Sequence, residues 1–399
     1  MREAYLTAAV DLALLLVALP AALACAYLLV STLLSARERA PRRSSRSLRF
    51  DVIVPAHDEA AVIARTVENL RRLDWPAERF RVIVIADNCS DATAAIATEA
   101  GAHVFQRTDT QRRGKGYALA YAFERSAAEA RADAVVVIDA DAEASTNLLE
   151  AFAARIEGGA AAVQAHYGVL NPLASWRTRL ITIAKAAFHI VRSRARERLG
   201  VSCGIRGNGW CVTHALLARV PYRAFSLTED VEYGIELGLA GIRVQYADEA
   251  HSDADMVSGE QIARKQRQRW EHGRFALIRA KTVPLLRATI RRRSAVCFDL
   301  ALDLLVLPLS YVTLNVCALI MLAALATWWR SSLQAWLWLG AGCAASLLVY
   351  VLRGWQLSGI GARGLLDLAR APGFLAWKIL LMLRRRTSDE WVRTDREKP

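Results

Sequence analysis

The sequence predicts an α/β domain on a mostly parallel sheet, joined to helices long enough to cross a membrane. Three observations predict it. Strand-like and helix-like segments alternate four times between Phe50 and Ile138, the pattern of parallel strands linked by crossover helices. The run Ala134–Ile138 is wholly apolar and stops at two carboxylates, Asp139 and Asp141. That is expected of a strand buried on both faces whose end opens at the rim of a sheet, and two acids there form a pocket for a hard cation and the oxygens it bridges. Apolar stretches at Leu6–Leu34, Val296–Trp329 and Leu333–Leu352 each reach the roughly 20 residues a spanning helix needs.

In chain order, Leu6–Leu34 is too long for a signal-peptide core and reads as a retained anchor. Its one acid, Asp11, is expected at an interface. Ser35–Ser47, rich in Arg, Ser and Pro, is a juxtamembrane linker. The net charge of +13 is concentrated beside the apolar stretches: Arg37, Arg39, Arg42, Arg43, Arg46 and Arg49 follow the first, Arg291–Arg293 precede the second, and Arg384–Arg386 follow the last apolar segment. Such flanking places the region between the first two spans in the cytoplasm, at an inner or cell membrane. It disfavours nucleic acid, because no basic patch with interleaved aromatics appears. Seven scattered cysteines, with no CxxC, argue for reduced thiols over a disulfide framework or a zinc site. The expected domains are 1–48 (anchor and linker), 49–282 (cytoplasmic domain) and 283–399 (two spans and an interfacial helix over Gly364–Leu383).

Within the domain, Phe50–Pro55 is a first strand and Ala60–Leu73 a helix. Arg81–Ala86 is a second strand ending on Asp87 and Asn88, and a helix follows from Ser90 to Gly101. His103–Phe105, a helix over Tyr117–Ala130 and Ala134–Ile138 complete the alternation. No GxGxxG follows the first strand, so a dinucleotide cofactor is not expected. The second half, Leu148 to about Thr282, shows less periodicity.

The motifs run VIVPAHDE, IADN–SD, RGKG, VVVIDAD, TED and QRQRW. Together they resemble the membrane-bound inverting family-2 glycosyltransferases, the group of cellulose, hyaluronan, chitin and poly-N-acetylglucosamine synthases and ceramide glucosyltransferase. The resemblance covers Phe50 to about Arg274 with the flanking spans. It implies a GT-A-type nucleotide-sugar-binding domain, a UDP-sugar donor, and Mg²⁺ or Mn²⁺ held by Asp141, with Asp139 beside the nucleotide. Asp87 becomes a uridine contact, although the family's second acid there is replaced by Asn88.

The residues carry these roles on their own chemistry. Asp139 and Asp141 suit a cation facing a departing diphosphate. Pro55, Ala56 and Glu59 follow a strand, where backbone and one acid can read a nucleobase. Lys115, between two glycines, suits a phosphate or base contact because glycine permits close backbone approach. Asp230, with Glu229 and Thr228, is the candidate general base. An ordinary helix start, with Thr228 as N-cap, is compatible with the same residues. Gln266, Arg269 and Trp270 fall within about one helical turn, offering a guanidinium to a diphosphate and an indole to an acceptor sugar. Asn208, Gly209 and Trp210 are placed along the acceptor path. Asp253 and Asp255 form a second DxD, expected in a solvated loop because no buried strand precedes it.

The expected function is transfer of a sugar from a nucleotide-diphosphate sugar to a growing β-linked polysaccharide or oligosaccharide. Addition of one sugar to a lipid acceptor is the alternative, since three spans are few for a private polysaccharide channel. A silent membrane scaffold is a third class, opposed by the intact acids at 87, 139, 141 and 230. Expected partners are the donor, a saccharide or lipid acceptor, membrane lipids, and a homo-oligomer or export partner.

Overall fold

The computed structural model describes residues 2–256 and 260–370, with the side chains of residues 2, 4 and 260–269 outside the description. It divides into two compact units. One comprises 37–178 and 196–301. The other comprises 1–36, 179–195 and the described residues from 302 onward.

The first unit is built on an eight-stranded sheet: β1 (Phe50–Ala56), β2 (Phe80–Asp87), β3 (His103–Arg107), β4 (Ala134–Val137), β5 (Ala142–Ala144), β6 (Ala162–Val169), β7 (Trp210–Thr213) and β8 (Val244–Ala254). Its order is β3-β2-β1-β4-β7-β6-β8-β5. The pairs β1–β2, β1–β4, β2–β3 and β6–β8 are parallel, and β4–β7, β5–β8 and β6–β7 are antiparallel. The expected mostly parallel sheet is therefore present, and each antiparallel pair includes a strand from the second half.

β1, β2 and β4 bury most of their side chains, because branched apolar residues face helices on both sides, whereas the edge strand β3 stays partly exposed. Ile53, Ile83, Val135 and Val137 pack with Trp210, Val212, Tyr233 and Tyr246 in one core. Trp210, expected along the acceptor path, is instead 1% exposed. Its ring packs against Phe123, Tyr222 and Tyr233. The reason is its register: it lies in β7 opposite Val137 of the central strand β4. Trp210→Ala should cost about 3–5 kcal/mol, read as a lower denaturant midpoint at unchanged slope.

The second half holds more strand than its periodicity predicts. β8 runs eleven residues and contains Asp253, so the second DxD starts in a strand and not in a solvated loop. Polar residues on both faces of VQYADEAHSDA conceal it, since β8 has β5 and β6 as neighbours. The helix bearing the QRQRW segment continues from Glu260 to Arg292. Residue 282, the expected end of the domain, thus lies inside a helix.

Among the described residues, the second unit contains three helices long and apolar enough to cross a membrane: Tyr5–Leu33, Leu309–Trp329 and Ser331–Ser358. The stretch expected to span from Val296 is split at Pro308, leaving a separate Ala295–Leu305 helix. Small residues such as Ala18, Ala21, Cys25, Ala323 and Cys343 are buried between these helices, as close packing in an apolar medium favours. Asp11 accepts a hydrogen bond from Trp336 Nε1 at 2.8 Å. Residues 179–195, inside the stretch expected to be one cytoplasmic domain, group with this unit. A helix covers Ala362–Leu368, and the expected interfacial helix from residue 371 onward lies outside the described residues.

Candidate active site

The parallel strands β1, β2 and β4 end at one edge of the sheet, and the residues at or just beyond their ends are Ala56–His57, Asp87–Asn88 and Asp139. The antiparallel β7 starts at that same edge, so the turn before it faces β4. Gly207 and Gly209 shape this turn with positive φ values of 89° and 69°. A Cβ on Gly209 would stand 2.8 Å from that of Ser252, so the turn can lie against β8 only with glycine there. Gln164 secures the turn from β6. Its Nε2 donates to the carbonyls of Asn208 (2.7 Å) and Gly209 (3.1 Å), and its Oε1 accepts from Arg206 N.

Asn208, expected to meet an acceptor, is fully buried. Its Oδ1 accepts from Asp139 N at 3.0 Å and from Ser252 Oγ at 3.2 Å. It holds the first acid of the DAD segment in place. Lys115, the first residue of the Lys115–Glu129 helix, donates from Nζ to Asp139 Oδ1 at 2.6 Å and to the Gly207 carbonyl at 2.8 Å. The same ammonium stands 3.7 Å from Glu229 Oε1. Glu229 and Asp230 open the Glu229–Leu239 helix, and a Cβ on Gly207 would lie 3.3 Å from Asp230 Oδ2. Lys115, Asp139, Glu229 and Asp230 thus form one cluster, and Gly207 is its floor.

Electrostatics follow from this crowding. Burial pushes the Glu229 carboxyl up to about 7, with Lys115 opposing and Asp230 adding to the rise. Burial likewise raises Asp230, again against Lys115. Burial works against the Lys115 ammonium, yet Asp139, Glu229 and Asp230 outweigh it and raise the group. The Tyr167 phenol is held well above its ordinary value by burial and then by Asp139, Asp141, Asp230 and Asp253. Asp253 lies in β8 opposite Glu143, two residues beyond Asp141, and pairs with His251 at 2.8 Å.

Glu229 has a pH consequence. Its folded-state value near 7 lies above the ordinary 4.5, so the folded form binds the extra proton between those values. The resulting stability is fully present below 4.5 and lost as pH rises through 7. Glu229→Gln should therefore flatten the fall in Tm between pH 5 and 8, measured without divalent cation.

The residues expected beside the nucleotide are tied into the domain by their own hydrogen bonds. Asp87 is 5% exposed, and its Oδ1 accepts from Arg107 Nη1 at 2.6 Å and from Asn88 Nδ2 at 3.1 Å. Arg107 also reaches Asp109 at 3.0 Å and the Arg112 carbonyl at 2.9 Å, linking Asp87 to the loop that leads into Lys115. Pro55 and Ala56 close β1 opposite Ile85 and Ala86. Glu59 N donates to Thr93 Oγ1 at 2.7 Å. His57 Nδ1 and the Asp87 carbonyl are 2.7 Å apart. Arg107, Tyr167 and Gln164 were not singled out in the sequence. Single polar residues in strands carry no spacing signal, although Arg107 sits opposite Asp87 in the β2–β3 register.

Thr228 occupies the N-cap position without a side-chain capping bond. Its Oγ1 is buried without a hydrogen-bond partner among the described residues. Gly273 packs on it: a Cβ there would stand 2.7 Å from Thr228 Cγ2. This contact brings the Glu260–Arg292 helix beside the catalytic candidates. Trp270 on that helix is 41% exposed, whereas the side chains of Gln266 and Arg269 lie outside the description.

Two groups of acids present oxygen ligands that could face a cation. Asp58, Cys89 and Asp91 present ligand atoms within 4.8 Å of one another. However, Asp58 Oδ1 accepts from Ser90 N (2.6 Å) and Asp91 N (3.2 Å), and Asp91 accepts from Thr93 N and Ala60 N. Those carboxylates fasten two turns together. Asp139 and Asp141 offer hard oxygen donors among further acids, with Lys115 neutralising part of the charge, and that donor set fits Mg²⁺ or Mn²⁺.

A family model for "Glycosyltransferase like family 2" matches residues 48–273, a stretch that holds every acid of this cluster. The chain belongs to that family. A Bacillus subtilis (strain 168) protein named "Probable glycosyltransferase YdaM" is 24% identical over 232 residues, 56% of this chain and 55% of that protein. The chain thus matches about half the length of this relative. A mannosyltransferase from Pyrobaculum calidifontis, solved in complex with GDP-Man and Mn²⁺, is similar in fold with a TM-score of 0.50 at 19% identity. The match covers 85% of this chain and 97% of that one.

Proposed function

We propose that this family-2 chain is a membrane-bound, inverting, metal-dependent glycosyltransferase. It would move a sugar from a nucleotide-diphosphate sugar, with UDP-sugars the first candidates, to a growing β-linked polysaccharide or oligosaccharide. One observation carries this reading: Lys115 bridges Asp139 of the DAD segment and Glu229 of the TED segment at the sheet edge.

In this mechanism Asp230 is the base. Burial raises its proton affinity, which suits a carboxylate that must take a hydroxyl proton. As Asp230 accepts that proton, the acceptor oxygen bonds to the anomeric carbon. The bond from that carbon to the diphosphate oxygen breaks, and its electron pair leaves with the diphosphate. Attack opposite the leaving group turns an α-linked donor into a β-linked product. When bound, Mg²⁺ or Mn²⁺, held by Asp141 and Asp139, would neutralise charge on the leaving diphosphate. Lys115 adds a positive charge beside Asp139. Asp87, oriented by Arg107, takes the nucleoside side, with Pro55, Ala56 and Glu59 near it. Trp270 supplies an exposed apolar face for the acceptor, with Gln266 and Arg269 assigned to the same end. The three candidate spans and the arginines at 37–49 support residues 49–282 working on the cytoplasmic side of a membrane.

The number of candidate spans, three among the described residues, favours a second reading, single addition to a lipid acceptor. One experiment tests both. Protein in nanodiscs is given radiolabelled UDP-sugars and GDP-mannose, Mn²⁺ or Mg²⁺, and saccharide and lipid acceptors. A ladder or polymer supports chain synthesis, and one organic-soluble product supports the lipid reading. No turnover with any donor overturns the enzymatic proposal and leaves the scaffold.

A further inference from the structure

We infer that Lys115 is a built-in stand-in cation: with no nucleotide present its ammonium occupies the place on Asp139 that a divalent ion requires, so that metal binding depends on a diphosphate drawing the lysine away. The inference rests on the donor reading above and adds an order of binding to it.

The geometry leads there in three steps. First, Nζ is spoken for. It lies 2.6 Å from Asp139 Oδ1, 2.8 Å from the Gly207 carbonyl and 3.7 Å from Glu229 Oε1, three oxygen partners that a small hard cation would also choose. Second, the backbone below the lysine is fixed while its side chain is not sealed in. Gly114 has φ +114°, and Gly116 packs against the Ala224 carbonyl so closely that a Cβ there would overlap it. The side chains of Lys115 and Asp139 nevertheless keep 27% and 25% exposure, so solvent and ligands reach the pair. Third, the acids outnumber this ammonium. Glu229 and Asp230 lie in the same recess, and Asp141 lies one residue beyond Ala140. Removing the lysine's charge would leave them repelling one another until another cation replaced it.

Two like-charged ions cannot share Asp139 at hydrogen-bond distance without mutual repulsion, so ammonium and metal compete. A nucleoside diphosphate relieves the competition by giving Nζ a new anionic partner. By linkage, nucleotide and metal then raise each other's affinity, and Lys115 carries part of that coupling.

The test measures Mn²⁺ binding by electron paramagnetic resonance of the free ion, on the full chain in detergent, first with Mn²⁺ alone and then with UDP or GDP. Lys115→Met should strengthen binding of Mn²⁺ alone by about ten- to a hundredfold, the range of a neighbouring charge's effect on a carboxylate, and should shrink the further gain given by nucleotide. Lys115→Arg should stay near wild type. Arg113→Met, which removes a charge from the same loop, should change binding by less than about twofold.

Unchanged or weaker Mn²⁺ binding in Lys115→Met would overturn the inference. So would an equal gain in Arg113→Met, or a gain that persists in Lys115→Met with Asp139→Asn. A single cooperative melting transition and an unchanged elution volume establish that each variant compared is folded. The Mn²⁺-alone arm needs no donor. If neither UDP nor GDP binds the wild type, the donor reading fails while the lysine–metal competition is still decided by that arm.

Discussion

Asp230→Asn should lower turnover by about 10²–10⁴-fold, the range expected when a positioned general base is lost, while the affinity for nucleotide and metal stays close to wild type. The split between chemistry and binding is the informative part. Asp230 lies against the Gly207 turn at the start of a helix, whereas the nucleoside is assigned to the Asp87–Arg107 pair. An asparagine fills the same space and keeps the helix start, so stability should change little. It will rise somewhat at neutral pH if the buried charge is costly. Steady-state kinetics with titration of the nucleotide separates the two. Loss of nucleotide binding equal to the loss of turnover would remove Asp230 from the base role.

The second large effect is expected at the DAD segment. Asp141→Ala, or chelation of divalent ions from the wild type, should reduce transfer by at least about 10²–10³-fold, the scale of a lost electrostatic stabiliser of a developing anion. Restoring Mn²⁺ should rescue the chelated wild type and not the variant. Asp141 lies between β4 and β5 and not within either strand, so its removal leaves the sheet core intact. The variant should therefore melt near wild type. Full activity of wild-type protein in chelator would rule out metal dependence.

What the sequence revealed, and what it concealed, has physical causes. The DAD segment was legible because β4 is apolar on both faces and ends abruptly in two acids. The three candidate spans were legible from length and hydropathy, but the second starts at Leu309, because the helix breaks before Pro308 within a stretch that stays apolar. Lys115 was flagged by its flanking glycines, yet its partner was not, since Asp139 is twenty-four positions away and only the fold joins them. Asn208 and Gly209 proved to be supports, and Trp210 a core residue. Indole is equally at home in a core and at a sugar-binding face, and nothing local separates the two. Asp253 was assigned to a loop because a strand with neighbours on both sides and polar residues on both faces shows no alternation. Arg107 was passed over because one arginine at a strand end looks like any solvated cation until the strand beside it supplies Asp87.

The central claim is that the cluster around Lys115, Asp139 and Asp230 performs a single displacement at an anomeric carbon. The most direct measurement is the anomeric configuration of the new bond, read from proton coupling constants in the purified product of an α-linked nucleotide-sugar donor. A β-linked product, lost in Asp230→Asn, is the expected result. An α-linked product would contradict the account, because retention requires a second displacement or a same-face transfer that one base cannot provide.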